Sequence, residues 1–261
     1  MYLKSILQMG SLMLHFRNGT ELVQRMRAGE PCDEVVLWDG TRISHPPERS
    51  GLLEALIDLW LRREYTGGFY RPADGDVIVD AGANVGLFSI LMARQNANCK
   101  VLALEPWEEN FRYLQANVAG ARLANVTCRE IALGGGIGRG HMQTVGQRSL
   151  DYILHSDCAG GPGTPIITLS DLFDLTSSNE IDFLKVDIEG SENAAFGAVG
   201  PEVLSRFNRI AVEYHDQIMP GTLQKLQAAL ASSHDMVVYP ATTEGAGIVR
   251  ATRKRGVAAS C

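Results

Sequence analysis

The run Val77-Ile78-Val79-Asp80-Ala81-Gly82-Ala83-Asn84-Val85-Gly86 sets an acid and two glycines at the end of a β-branched stretch. It reads as a buried strand that turns into a helix. Gly82 would let the backbone approach a ligand, and Gly86 would let the helix pack tightly on the strand. The turn lacks the third glycine of G-x-G-x-x-G, the one that admits a pyrophosphate. Its acid therefore points to a cationic or hydroxyl-bearing ligand rather than a phosphate. Twenty-five residues after Asp80, Glu105 ends the next apolar run just before Pro106. A carboxylate there can accept hydrogen bonds from both ribose hydroxyls of a nucleoside lying across the strand ends. Alone it would be unremarkable, because strand ends often carry solvated acids; the glycine turn one strand earlier gives it weight.

A third cluster, Asp182-Phe183-Leu184-Lys185-Val186-Asp187-Ile188-Glu189-Gly190-Ser191-Glu192, brings more carboxylates to the same edge. Ser191 and Glu192 also look like an ordinary helix start, so Glu192 is expected either to cap or to orient. The following strand ends Glu213-Tyr214-His215-Asp216, adding an acid and an imidazole where open α/β sheets bind ligands. Two chemistries are open to these groups. Glu189, Asp187 and His215, in that order, are candidate general bases. The set Asp187, Glu189, Glu213 and His215 could instead hold Mg²⁺.

The elements that must position these residues are legible. From Asp76 onward, short β-branched runs alternate with amphipathic helices, the pattern of an α/β fold with a mostly parallel sheet covered by helices on both faces. Seven strands are predicted, over 77–80, 101–105, 126–132, 183–187, 210–213, 236–239 and 248–251, with helices over 84–94, 107–118, 191–207 and 222–233. The stretch 134–164, with its Gly run and Gly160-Gly161-Pro162-Gly163, is expected to be irregular loop around the mouth of a site. Before residue 70 the pattern is an N-terminal helical and hairpin extension. One stripe is Leu3, Ile6, Leu7 and Met13, another is Leu52, Leu56, Leu59 and Trp60, and Asp39-Gly40 marks a hairpin between them. Met9 and Met13 are expected to serve core packing. The extension (1–70) would cap the site or form an interface between copies of the chain. Residues 71–254 would form the catalytic domain and 255–261 a flexible tail.

Composition narrows the partners. With 45% hydrophobic and 21% charged residues the chain has ample core material. A net charge of −6 offers no basic field for a phosphate backbone, which argues against nucleic acid as a partner. Five scattered cysteines without a CxxC pair suggest a reducing compartment. Lys4 and His15 interrupt the apolar residues at the start, so the first sixteen residues read as an amphipathic helix rather than an export signal. No run approaches the roughly 20 apolar residues of a membrane span. A cytoplasmic location is expected.

In combination, D-A-G-A-N-V-G over 80–86, E-P at 105–106 and L-K-V-D-I-E-G-S-E over 184–192 resemble the FkbM family of methyltransferases, from about Arg49 to Thr252. The resemblance implies a class I methyltransferase, Rossmann-like sheet, S-adenosylmethionine as methyl donor, and O-methylation of a small-molecule hydroxyl acceptor such as a sugar, polyketide or related natural product. By that match Asp80, Gly82, Asn84 and Gly86 line the methionine end of the donor and Glu105 holds its ribose. Asp187 and Glu189 then lie beside the reaction centre. Where many relatives carry a Ser-Asp type pair near the adenine, this chain reads Ile131-Ala132-Leu133-Gly134-Gly135-Gly136, so backbone groups around Ile131 and Ala132 are expected to serve instead. Two other readings remain. An NAD-type oxidoreductase is disfavoured by the missing third glycine, and a non-catalytic cofactor-binding module of the same fold would fit the departure at 134–136.

Overall fold

Continuous apolar strands need cover on both faces, and the chain supplies it from two different sets of helices. The computed structural model describes residues 2–47, 51–144, 152–157, 163–241 and 244–256, with side chains excluded at 2–8, 143–144 and 152–157. Arg49, Gly160 to Pro162 and the tail from Val257 lie outside the described residues.

In chain order, helices α1 (Tyr2–His15) and α2 (Gly19–Ala28) precede a hairpin of β1 (Glu34–Val36) and β2 (Arg42–Ser44). Helix α3 (Leu52–Leu56) then runs on as a π-helical segment (Ile57–Arg62). The Rossmann-like part begins with β3 (Val77–Ala81), α4 (Leu87–Gln95), β4 (Lys100–Leu104), α5 (Glu108–Gly120) and β5 (Val126–Arg129). Next come β6 (Ala132–Leu133), β7 (Gly138–Thr144), β8 (Tyr152–Asp157), β9 (Thr164–Ile167) and α6 (Asp171–Thr176). The chain continues with β10 (Phe183–Val186), α7 (Glu192–Gly197), α8 (Pro201–Leu204), β11 (Arg209–His215), α9 (Thr222–Leu230), β12 (His234–Pro240) and β13 (Ala246–Arg253).

The seven expected strands form one sheet in the order β12-β13-β11-β10-β3-β4-β5. Neighbours from β11 through β5 run parallel, while β13 is antiparallel to both β11 and β12. This is the mostly parallel, class I methyltransferase sheet that the resemblance implies. Successive residues serve opposite faces: Val79, Leu102, Leu184 and Ile210 pack with Leu172, Phe196, Leu204 and Leu226 of α6 to α9. Ile78, Val101 and Phe183 face Phe88 and Met92 of α4 instead. The N-terminal elements bury Leu12, Phe16, Leu22, Leu52 and Leu56 in a cluster shared with Ile90 and Leu114. Asn117 of α5 joins in, its amide donating to the carbonyls of Ser44 at 2.8 Å and Val85 at 2.9 Å.

Four expectations need correction. The stretch 134–164 carries strands rather than loop alone: β7 pairs with β8 and β9, and β9 with β6, in a second, four-stranded sheet. Its alternation was diluted by glycines and so was not visible in the sequence. The strand predicted over 126–132 is divided, β5 staying in the main sheet while Ala132 leaves for the second. The single helix predicted over 191–207 is two, because Gly200 is extended and Pro201 starts α8 afresh. In α1, Leu12 is buried while Met13 is 46% exposed, so Met13 does not serve core packing as expected, whereas Met9 does; the side chains of Leu3, Ile6 and Leu7 lie outside the described residues.

Among the described residues no helix is long and apolar enough to cross a membrane. Among the described residues Cys32, Cys99 and Cys128 form no disulfide with one another.

Candidate functional site

Parallel strands put all their carboxyl ends on one edge, and the chain leaves β3 toward β4 on one side while β10 lies on the other. That divergence opens a crevice. Gly82, Asn84 and Asp187 meet there. Gly82 has φ +77, and a Cβ on it would lie 1.7 Å from the Asp187 carbonyl oxygen, so the turn after β3 touches the end of β10 backbone to backbone. Gly82→Ala is therefore expected to cost at least about 2 kcal/mol, from the φ penalty and the forced separation of the strands. A thermal melt checks this; a melting temperature equal to the wild type would contradict it. Gly86, at φ +89, is close-packed for a different reason than expected: a Cβ there would meet Leu114 of α5 at 2.6 Å, not the strand.

Asp80 lies beneath the crevice rather than lining it. Its register partner across the strands is Lys185, whose ammonium donates to Asp80 Oδ1 at 3.0 Å and to the Gly82 carbonyl at 2.9 Å. Ser89 donates to the other oxygen at 2.7 Å, and the Asp80 side chain is 0% exposed. Burial disfavours the Lys185 ammonium, but the Asp80 and Asp187 charges outweigh it and raise its pKa. The pair thus anchors the glycine turn. Glu105 is also fully buried: it accepts the backbone N–H of Asn84 at 2.8 Å and of Trp107 at 3.0 Å, tying two rim loops together. Asp80, through Lys185 and Ser89, and Glu105, through two backbone N–H groups, thus both hold the loops that rim the crevice.

The remaining candidates converge. Asp187, Glu189 and Glu213 line one cavity of about 170 Å³ with Asn84, Gly82 and Lys185. His215 sits behind, its Nε2 3.5 Å from Glu189 and 3.8 Å from Glu213. Its Nδ1 is 3.1 Å from Oε1 of the fully buried Glu192, which also accepts the Gly190 N–H at 3.2 Å. Glu192, left between two roles by the sequence, both ties the turn and orients the imidazole. Glu189 itself takes a left-handed backbone, φ +51, which a non-glycine residue adopts at a cost of about 1 kcal/mol.

Crowding decides the electrostatics. Burial, then the Asp187 charge, pushes Glu189 up to about 9; the same two causes push Glu213 up to about 7. Burial would lower the His215 pKa, but the Glu192 hydrogen bond and the Glu189 charge outweigh it and raise it to about 10. The cluster therefore holds protons at neutral pH that isolated carboxylates would have released.

The Mg²⁺ set fits in donor type only: ligand atoms of Asp187, Glu213 and His215 lie within 4.8 Å of one another. Asp187 and Glu213 already share the hydroxyl of Tyr65, and the Lys185 ammonium stands 3.6 Å from Asp187. With its inner oxygens engaged and a cation in place, the cluster is not an open cage for a dication.

A second hollow opens on the other side of Gly82. Pro106, Ile131, Ala132, Leu133, Met142 and Ile188 wall it, and Gly82 and Asp187 belong to both spaces. Ile131 and Ala132 are thus walls of this hollow, joined by Met142 of β7. Sequence reasoning missed Met142, Lys185 and Tyr65. Met142 lies in the segment read as loop, Lys185 passed as one residue of an apolar strand, and nothing in the sequence around Tyr65 marks it.

A family model described as the methyltransferase FkbM domain matches residues 80–236, more than half of the chain. The 31-O-demethyl-FK506 methyltransferase FkbM of Streptomyces tacrolimicus is 27% identical over 191 residues, covering 61% of this chain and 72% of that protein. Among solved structures, an rRNA methylase from Streptococcus thermophilus matches with 12% identity and a TM-score of 0.46 over 74% of this chain and 94% of the other. M. jannaschii TYW2 in complex with AdoMet matches with 14% identity and a TM-score of 0.46 over 85% and 87%. Likeness at that level says nothing of substrate.

Proposed function

The chain belongs to the FkbM methyltransferase family, S-adenosylmethionine-dependent enzymes, and from that premise we propose that it methylates a hydroxyl oxygen of a small molecule. The observation that supports this most is the pair of neighbouring hollows that share Gly82 and Asp187 as walls, one lined by apolar side chains and the other by carboxylates. A nucleoside carrying a cationic amino-acid chain has that same division of character. The relative from Streptomyces tacrolimicus is named for methylation at an oxygen, which points the same way.

S-Adenosylmethionine supplies an electrophilic methyl group on a sulfonium. The protein's share is to align the acceptor, exclude water and remove a proton. Ile131, Ala132 and Met142 would hold the adenine by apolar contact and backbone groups. Asn84 and Gly82 would hold the methionine end with Asp187. Glu189 is the candidate base: it faces the acidic cavity and is backed by His215, which Glu192 keeps oriented. At neutral pH it holds a proton and must lose it to act. Positive charge brought beside Asp187 favours that loss, because it stabilises the ionised forms of Glu189 and Glu213 together.

The linkage has a measurable sign. Groups whose pKa falls on cation binding release protons, so donor affinity should rise between about pH 6 and pH 9. Calorimetry with S-adenosylhomocysteine and S-adenosylmethionine in buffers of different ionisation enthalpy should show net proton release, larger for the sulfonium. Proton uptake, or no binding of either compound to the folded protein, would defeat the assignment. A panel of hydroxyl acceptors with radiolabelled donor then tests the O-methyl transfer itself.

A further inference from the structure

Tyr65 belongs to none of the motifs, yet it is held at the centre of the carboxylate cluster. Its side chain is buried, and its hydroxyl donates toward both Glu213 and Asp187, the latter at 3.2 Å. Those two carboxylates come from the ends of adjacent strands, β11 and β10. Like charges at such separation repel, and the shared O–H, together with the Lys185 ammonium 3.6 Å from Asp187, offsets that repulsion.

The placement of this hydroxyl is elaborately supported. Tyr65 follows the left-handed Arg63 (φ +51), in a turn whose N–H groups bond to Asp58 of the preceding segment and to Arg63 itself, while its carbonyls take further donors from outside. Arg250 of β13 supplies them. Its Nε donates to the Glu64 carbonyl at 3.0 Å, Nη1 to Gly67 at 2.8 Å, and Nη2 to Arg63 at 3.0 Å. A guanidinium is the one side chain whose rigid donors can span three carbonyls at once. The Tyr65 ring then stands edge-on to Phe88 at 6.1 Å, with the Lys185 ammonium 5.3 Å from its centre. Just beyond, Tyr70 stacks on Phe183 at 4.4 Å and fixes the turn's far end to β10. A phenylalanine would fill the same space, so packing alone does not explain the hydroxyl.

We propose that Tyr65 is a positioning residue for methyl transfer, delivered by the Arg250-clamped turn and tying Asp187 to Glu213 so that Glu189 is left to face the acceptor. The proposal rests on the methyltransferase reading for its purpose, but the geometry it invokes can be tested without any acceptor. The N-terminal segment thereby completes the site rather than merely covering it: Leu52, Ala55, Leu59 and Tyr65 wall the acidic cavity opposite the sheet.

The groups facing Glu213 are Tyr65 from the turn, Asp187 and Lys185 from the β10 side, Glu189 from the following loop and His215 from its own strand. The Tyr65 hydrogen bond favours the ionised form of Glu213, whose titration midpoint lies near 7. Removing that bond should raise the midpoint by about one unit, a tenfold change in proton affinity. The test is a carbon-13 carboxyl titration of glutamate-labelled full-length protein, wild type against Tyr65→Phe. The Glu213 signal is assigned by its absence in Glu213→Gln.

An upward shift with a wild-type-like melting temperature supports the proposal; an unchanged midpoint overturns it. Should Tyr65→Phe not fold, the same midpoint is read in Arg250→Gln, which keeps the hydroxyl but frees the turn. There too a rise supports the assignment and constancy overturns it. S-Adenosylhomocysteine binding is measured alongside on the wild type. Its failure would count against the methyltransferase reading and leave the carboxyl titration free to decide the role of Tyr65.

Discussion

Glu189→Gln should lower turnover about 10²- to 10⁴-fold, the range expected when a general base is removed. Binding of S-adenosylhomocysteine should change by no more than about threefold. The substitution keeps the shape and the left-handed backbone constraint but removes the group that receives the acceptor's proton. It also removes a carboxyl that the folded cluster tolerates only by keeping it protonated, so folding stability at neutral pH should hold or rise slightly. The pH dependence carries a second check. Turnover of the wild type should climb with pH as the cluster deprotonates, and the residual rate of the variant should lose most of that slope. Measurement needs steady-state rates between about pH 6 and pH 9 with an acceptor found in the panel, and calorimetry for the donor product. A variant that turns over normally, or loses cofactor affinity in proportion to rate, would move Glu189 out of the base role.

The largest effect on stability is expected at Lys185. Lys185→Met leaves the Asp80 carboxylate, 0% exposed, with only Ser89 as a side-chain partner. Breaking a buried pair in this way costs about 3–5 kcal/mol, because the remaining charge keeps its desolvation penalty without its counter-ion. In a domain of this size that corresponds to a drop in melting temperature on the order of 6–20 °C. Cofactor binding should weaken as well, since the Lys185 ammonium also holds the Gly82 carbonyl. The double variant Asp80→Asn, Lys185→Met should recover much of the stability but not the binding. A double variant no more stable than Lys185→Met would show that the loss comes from packing rather than from the orphaned carboxylate.

Both predictions turn on positions whose roles the sequence disclosed unequally. Glu189 was visible because it follows an apolar strand in a recognisable acidic segment. Lys185 sits within the same segment and was read as part of the strand. Its importance appears only when register sets it opposite Asp80 on the α4 face. Asp80 and Glu105 stand at the sheet's carboxyl edge as the motifs indicate, and the structure adds that both are buried and hold the loops around the crevice. Met142 shows the opposite: glycines weakened the alternation of β7 below what periodicity can detect, so a wall of the apolar hollow was taken for loop.

The sequence by itself determined the seven strands of the main sheet, the alternation that buries that sheet on both faces, the common edge of the glycine turn and carboxylates, and the family. All of these follow from local patterns: apolar period, turn chemistry and motif order are written in neighbouring residues. Only the tertiary structure decided which acids face the cavity, which proton each holds, and that Tyr65 and Arg250 reach the site from opposite ends of the chain. Those outcomes depend on burial and on distances of a few ångströms between residues far apart in sequence, and no local pattern encodes such distances.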